Sequence, residues 1–243
     1  MNASPADQLR LLDLADLDAR ISRAQHARAN PPQAARVREL LGERQRLSQE
    51  LTVRLGIRDD LRTEIARIES DVAVVDARRT RDESRLAAST SPKEAQGLES
   101  ELQALARRKS TLEDAELEAM DRLEQAEAAV AEQEELITAT NAEGAELSAE
   151  AKRLVADADA VIDAATRDRD VVRASVPEAL FAMYERVAAR TTGAALLRRR
   201  TCEGCRMELS GTDLEKLRTA SDDAVVTCPE CGCILVRTEE SGL

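Results

Sequence analysis

Residues 61–75, LRTEIARIESDVAVV, decide the fold. Their apolar positions Leu61, Ile65, Ile68, Val72 and Val75 follow steps of four, three, four and three, the a/d seam of a coiled coil. The helical pattern extends back through Val37, Leu40, Leu47 and Leu51; Gly42 and Gly56 weaken it, each by about 1 kcal/mol relative to Ala, without ending it. Forward, it stops after Leu86. Ala87-Ala88-Ser89-Thr90 loses the period, and Ser91-Pro92-Lys93-Glu94 restarts it as a capping box with proline at the first helical position. A connection this short between two long helices makes them antiparallel neighbours, so the turn is placed near 87–91.

The second arm carries Leu98, Leu102, Leu105 and Leu112, then Leu147, Leu154, Val161 and Val172, and ends near Ser175-Val176-Pro177. At the N-terminus, Ser4-Pro5 reads as an N-cap and a first-turn proline, opening a helix to about Ala29. Asn30-Pro31-Pro32 interrupts it, because proline lacks a donor and pushes the preceding residue out of the helical region. Folding the chain about residue 89 makes partners of positions summing to about 178, which puts this break opposite Asn141 and Gly144. A kink is therefore expected near 30–32 and another near 141–147, and residues 5–29 are expected to face about 149–173. Each arm is about 84 residues, or roughly 125 Å if continuously helical.

Composition agrees with helices packed along a narrow seam. The 243 residues include one Phe, one Tyr and no Trp, and 34% are charged. The net charge of −12 and pI near 4.8 argue against a chain that coats nucleic acid or an anionic membrane along its length. The acidity lies in the first 176 residues; from Pro177 on there are nine Lys/Arg and eleven Asp/Glu. Without a run of ~20 apolar residues or a signal-peptide pattern, a cytoplasmic location and no membrane contact are expected.

Beyond Pro177 the pattern changes. A short helix from Glu178 carries Phe181 and Tyr184, both aromatics of the protein, which are expected to form a small core where the C-terminal module docks on the base of the hairpin. An exposed stacking platform for bases is the alternative. Strands are expected at Ala194–Thr201, Val225–Thr227 and Ile234–Val236, and a capping box at Thr212-Asp213-Leu214-Glu215 opens a helix to about Ala220.

Cys202-Glu-Gly-Cys205 and Cys228-Pro-Glu-Cys231, twenty-two residues apart, present four thiolates with the spacing of a tetrahedral zinc site. Four thiolates leave no open coordination position, so one structural Zn²⁺ is expected, with Cys202, Cys205, Cys228 and Cys231 as ligands and Cys233 as a fifth, non-ligating thiol. The sole histidine, His26, lies on a charged helix, and there is no glycine-rich phosphate loop, so nothing points to an enzyme. Arg198, Arg199, Arg200, Arg206, Lys216, Arg218 and Arg237 are candidates for a basic face contacting nucleic acid or a partner; the competing reading is that they balance the zinc–thiolate charge.

A hairpin pattern followed by Pro177-Glu-Ala-Leu-Phe-Ala-Met-Tyr-Glu-Arg186, CxxC with Met207 and Leu209 after it, and Cys228-Pro-Glu-Cys231-Gly-Cys-Ile-Leu235 resembles bacterial C4-type zinc-ribbon proteins with a coiled-coil hairpin, of the actinobacterial, mycobacterial type. The sequence departs from that pattern at Cys233, where Arg is common, and at Val236, where an aromatic is common. The resemblance implies a coiled coil with a zinc ribbon at its base, the same four ligands and no shared enzymatic activity. Some relatives are regarded as adaptors for RNA or for components of transcription or secretion machinery.

The reading is therefore a mainly α protein in two domains, a long antiparallel coiled-coil hairpin (1–176) and a linker helix with a small α+β zinc ribbon (177–243). It is expected to act as a non-enzymatic adaptor for a protein partner, as a monomer or weak homodimer. RNA or DNA binding by the basic face of the ribbon is the alternative.

Overall fold

The computed structural model describes residues 1–243. Its order is α1 (Pro5–Ala29), α2 (Ala34–Ala88), α3 (Pro92–Ala174), α4 (Glu178–Ala188), β1 (Ala194–Arg198), β2 (Thr201–Cys202), α5 (Gly211–Thr219), β3 (Val226–Thr227) and β4 (Ile234–Val236), with a final 3-10 turn at Glu239–Ser241. It divides into two compact units, Ala35–Ser148 and Met1–Ala34 with Ala149–Leu243.

The first unit is an antiparallel pair, α2 with the N-terminal part of α3. Leu40, Leu47, Leu61 and Ile68 of α2 are buried together with Leu98, Leu105, Leu112 and Val130 of α3. Ile65, Val72 and Val75 pack beside Ile68, so the expected seam is the observed one. Charged flanks close over it: Arg36 pairs with Glu143 at 2.8 Å, Lys109 with Asp76 at 2.7 Å, and Arg78 with Glu101. One seam position is polar. Gln133 is buried and donates to the Leu47 carbonyl at 3.0 Å, a bond that an axial slip would leave unmade.

At the hairpin turn the cap differs from the expected one. Ser89, rather than Ser91, turns its hydroxyl to Glu94, at 3.2 Å, while Ser91 takes part through its backbone, its N–H donating to Ser89 Oγ and its carbonyl accepting from Ala95 N–H. The second expected kink is not a break. α3 runs unbroken through Asn141 and Gly144, because these residues keep their N–H donors and cost the helix less than the prolines that end α1. A cavity of about 200 Å³ beside Val37, Leu40, Asn141 and Gly144 marks the position instead.

The second unit does not begin at Pro177, the boundary expected from the change of pattern there. It includes α1 and the end of α3. Leu11 and Leu14 of α1 enter one core with Val176, with Leu180, Phe181 and Tyr184 of α4, and with Ala194, Ile234 and Val236 of the sheet. Pairing is also shifted: Asp18 meets Arg169 and Arg28 meets Asp159, about nine residues from the expected partners. The same sense of shift is found on the turn side of the break, where Arg62 meets Glu127, so the proline break is not its source.

The sheet order is β2-β1-β4-β3. β1 runs parallel to β4 and antiparallel to β2, and β3 is antiparallel to β4. The chain's first residues attach here as well: Ala3 N–H donates to Asp223 O at 2.7 Å and Val225 N–H to Met1 O at 3.0 Å. Gln8, buried, fixes that arrangement through Ala3 O and Asp222 O. α5 is capped two residues before the expected Thr212, by Ser210, whose side chain accepts from Asp213 N–H. No helix is long and apolar enough to cross a membrane.

Candidate functional site

Two knuckles bring the thiols together. In the first, Arg206 N–H donates to Cys202 O at 2.7 Å and Cys202 N–H to Met207 O at 3.0 Å; in the second, Gly232 N–H donates to Cys228 O at 2.9 Å and Cys228 N–H to Cys233 O at 2.8 Å. The residue after each CxxC is left-handed, Arg206 at φ 61° and Gly232 at φ 78°. Glycine adopts that conformation freely, whereas Arg206 does so at a cost of about 1–2 kcal/mol.

The Sγ atoms of Cys202, Cys205, Cys228 and Cys231 all lie within 4.8 Å of one another. Cross-knuckle separations of 4.0 Å (Cys202 to Cys231) and 3.9 Å (Cys205 to Cys228) are close to the edge of an S₄ tetrahedron around zinc, about 3.8 Å for Zn–S bonds near 2.3 Å. Burial pushes the Cys231 thiol up, but hydrogen bonds from the Cys233 backbone and neighbouring thiols outweigh it and bring it down to about 7. Burial pushes the Cys228 thiol up to about 12, and ligation to a metal holds a thiol as the thiolate. The donor set fits one structural zinc ion.

Cys233 is fully buried and its sulfur is 3.6 Å from that of Cys202 and 3.4 Å from that of Cys231. It lies immediately before β4, its carbonyl closing the second knuckle, and its S–H can donate to either of the two adjacent ligand sulfurs.

Four of the seven cations already have partners within the chain. Arg198 pairs with Glu240 at 2.9 Å and lies 3.8 Å from Glu203; Lys216 pairs with Asp213 and Arg218 with Glu215. Arg237 is turned inward onto the carbonyls of Leu217, Ala220, Ser221 and Ala224, where it caps the C-terminal end of α5. Acidic side chains and free carbonyls thus take up four of the seven. Arg199, Arg200 and Arg206 form no ion pair. Arg199 and Arg200 make the β1–β2 turn, left-handed at φ 47° and 68°, the conformation of a two-residue hairpin turn that favours Asn and Gly. Their N–H groups donate to Glu240 O and Ser241 O, so the C-terminal turn braces them.

Phe181 and Tyr184 are both buried at the junction of α1, α4 and the sheet, their rings stacked with centroids 6.4 Å apart. They form no open platform for bases. Arg173 and Arg169 cover the Phe181 ring at 4.5 and 5.6 Å. Tyr184 Oη donates to Asp18 at 2.7 Å, and Arg169 Nε donates to the other oxygen of the same carboxylate at 2.5 Å, a three-element network that helical periodicity alone gives no means of finding. Burial first, then the bond to Asp18, holds the Tyr184 phenol well above its ordinary range. Tyr184→Phe is expected to lower stability by roughly 1–2 kcal/mol. Because an unfolded tyrosine ionises near pH 10.0 while the folded one stays protonated, this residue's contribution is complete below pH 10 and is lost as pH rises beyond it. Denaturant titrations of both proteins at neutral pH and above pH 10 should show the difference narrowing.

A family model described as CT398-like coiled coil hairpin domain matches residues 14–192, and one described as C4-type zinc ribbon domain matches residues 201–235. A protein of Mycobacterium tuberculosis H37Rv is 33% identical over 241 residues, covering 98% of each chain, and one of Mycobacterium leprae is 28% identical over 91% of this chain and 96% of its own. A solved structure from Mycobacterium smegmatis superposes with a TM-score of 0.80 at 30% identity, covering 98% of this chain and 100% of that one. CT398 of Chlamydia trachomatis shares the fold, with a TM-score of 0.59 at 17% identity over 96% of this chain and 98% of its own. With both of its parts matched, the chain belongs to the CT398-like coiled-coil hairpin family and carries a C4-type zinc ribbon.

Proposed function

We propose that this protein is a non-enzymatic cytoplasmic adaptor that binds a protein partner along its helical hairpin, with the zinc ribbon as a second recognition module. The observation that carries this reading is the apolar surface left on the hairpin after its seam is filled. Leu41, Val53, Ile57 and Val74 of α2 and Leu117, Met120 and Leu136 of α3 are all exposed, Val53 and Leu117 to 64% and 65%. Large apolar side chains recurring on the outer faces of a helix pair are the kind of surface that a protein partner covers. The closed four-thiolate shell favours a structural over a catalytic metal.

Nucleic-acid binding is the second reading, and the Arg199-Arg200 turn favours it, because two guanidiniums without an acidic partner, that of Arg200 donating only to Gly242 O at 3.4 Å, are carried on a strained, braced turn. One experiment separates the two. Full-length tagged protein is used to capture partners from the native host, in parallel with Val53→Glu/Ile57→Glu and Arg199→Ala/Arg200→Ala variants. The adaptor reading expects a defined protein that is lost only with the first pair. Nucleic acid lost only with the second pair would replace it.

A further inference from the structure

Beside Tyr184, within the unit that holds the zinc ribbon, an open groove of about 680 Å³ is walled by α1, by α4 and its exit, and by β1 with the first knuckle. That volume is in the range of sites that enclose a ligand. The groove exists because the elements meet through small residues: Ala15 and Ala19 on α1, Ala188 on α4, Ala195 on β1 and Gly204 in the knuckle. Gly204 is constrained to stay small, since a Cβ there would lie 2.9 Å from Thr192 Oγ1 and 3.1 Å from Ala195 Cβ.

The charge of the lining is of one sign. Asp16, Asp18 and Glu203 line the groove, and no Lys or Arg does. Asp18 is neutralised by Arg169 and Tyr184. Asp16 is exposed and forms no ion pair, and Glu203 has only Arg198, at 3.8 Å. Two under-compensated carboxylates therefore stand over an alanine-rich floor, one on the helical wall and one on the ribbon wall.

We propose that this groove receives an arginine- or lysine-bearing segment of a partner protein, the methylenes of the basic side chain lying on the alanines and its head between Asp16 and Glu203. Long cationic side chains bury an apolar stem and keep the charged head near carboxylate and water, which is the division this lining offers. The proposal rests on the adaptor reading and names a contact chemistry for it in the ribbon-bearing unit.

The test is a nuclear magnetic resonance titration of the full zinc-loaded chain with the peptide acetyl-Ala-Arg-Leu-Arg-Ala-amide and with its counterpart in which both arginines are glutamate. The arginine peptide is expected to shift the amide signals of Thr192, Ala195 and Gly204, and the glutamate peptide is expected to leave them unmoved. Asp16→Asn/Glu203→Gln should weaken binding at least about tenfold, the loss of two charge-assisted contacts. Ala19→Arg, which places a guanidinium in the groove, should abolish it while the remaining amide spectrum is kept. No shift at millimolar peptide, equal binding by the double variant, or saturation by spermine but not by the peptide would each overturn the proposal. The hairpin variants Val53→Glu/Ile57→Glu leave this titration unchanged, so failure of the groove and failure of the hairpin interface are read separately.

Discussion

Removing zinc with a chelator, or replacing Cys202 with Ser, is expected to unfold residues 194–243 while α2 and most of α3 remain helical. The core around the metal consists of Ala195, Leu197, Leu209, Leu214, Leu217 and Leu235 with the buried cysteines. So few aliphatic side chains, with strands of two to five residues, do not offset the ordering entropy of about fifty residues. Structural zinc contributes apparent free energies of about 10–16 kcal/mol in comparable small modules, so without it the ribbon loses most of what holds it folded. The coiled-coil seam of α2 and α3 contains none of these residues and should persist. The effect should nevertheless extend beyond the ribbon, because Ala194, Ile234 and Val236 belong to the core that holds α1 and α4. Limited proteolysis after chelation should open sites beyond Ala189 first and near α1 second, with the ellipticity at 222 nm largely retained. Cys233→Ser, which removes none of the four grouped thiols, should still bind one zinc per chain. Dispersed amide signals from residues 194–243 without metal, or parallel loss of all helix, would defeat this division.

The parts legible in the sequence are those encoded by local periodicity or by punctuation. The four–three steps at 61–75, the prolines at 5, 31, 32, 92 and 177, and the two CxxC pairs each act within a few residues of themselves, and each element they specify is present. The features that escape such a reading are long-range. Met1–Ala3 pairs with 223–225 through backbone groups, which carry no side-chain signature. Tyr184 selects Asp18, 166 residues away, from a chain rich in carboxylates. Arg237 joins the expected basic patch because its charge is visible in the sequence and its four carbonyl partners are not. The Asp18–Arg169 register departs from the expected one, as does Arg62–Glu127 on the turn side of the proline break, because counting residues about a turn fixes no axial offset between the helices; side-chain packing sets it.

Gly193→Ala should be the most damaging single methyl addition in the protein. Gly193 has φ +76°, where any other residue is strained by about 1–2 kcal/mol. The added Cβ would also lie 2.5 Å from Tyr184 Cε2, 2.9 Å from its Cζ and 3.1 Å from Ala188 Cβ. The ring has little freedom to retreat, being buried among Leu11, Leu14, Leu180 and Ile234 with its hydroxyl on Asp18. Nor can Gly193 move readily, since its N–H donates to Thr191 Oγ1 and its carbonyl accepts from Ile234 N–H at the start of β4. Overpacking of this kind adds about 1–3 kcal/mol, for a total of about 2–5 kcal/mol. Gly232 supplies the control: its φ is +78°, but nothing lies within 4 Å of where a methyl would stand, so Gly232→Ala should cost only the conformational part. Combining Gly193→Ala with Tyr184→Leu, which removes the clashing ring atoms, should cost less than the two changes summed. Denaturant unfolding of the four variants measures each quantity. Equal losses for Gly193→Ala and Gly232→Ala would show that Tyr184 does not pack on the Gly193 backbone, and the junction of α4 with the ribbon would have to be redrawn.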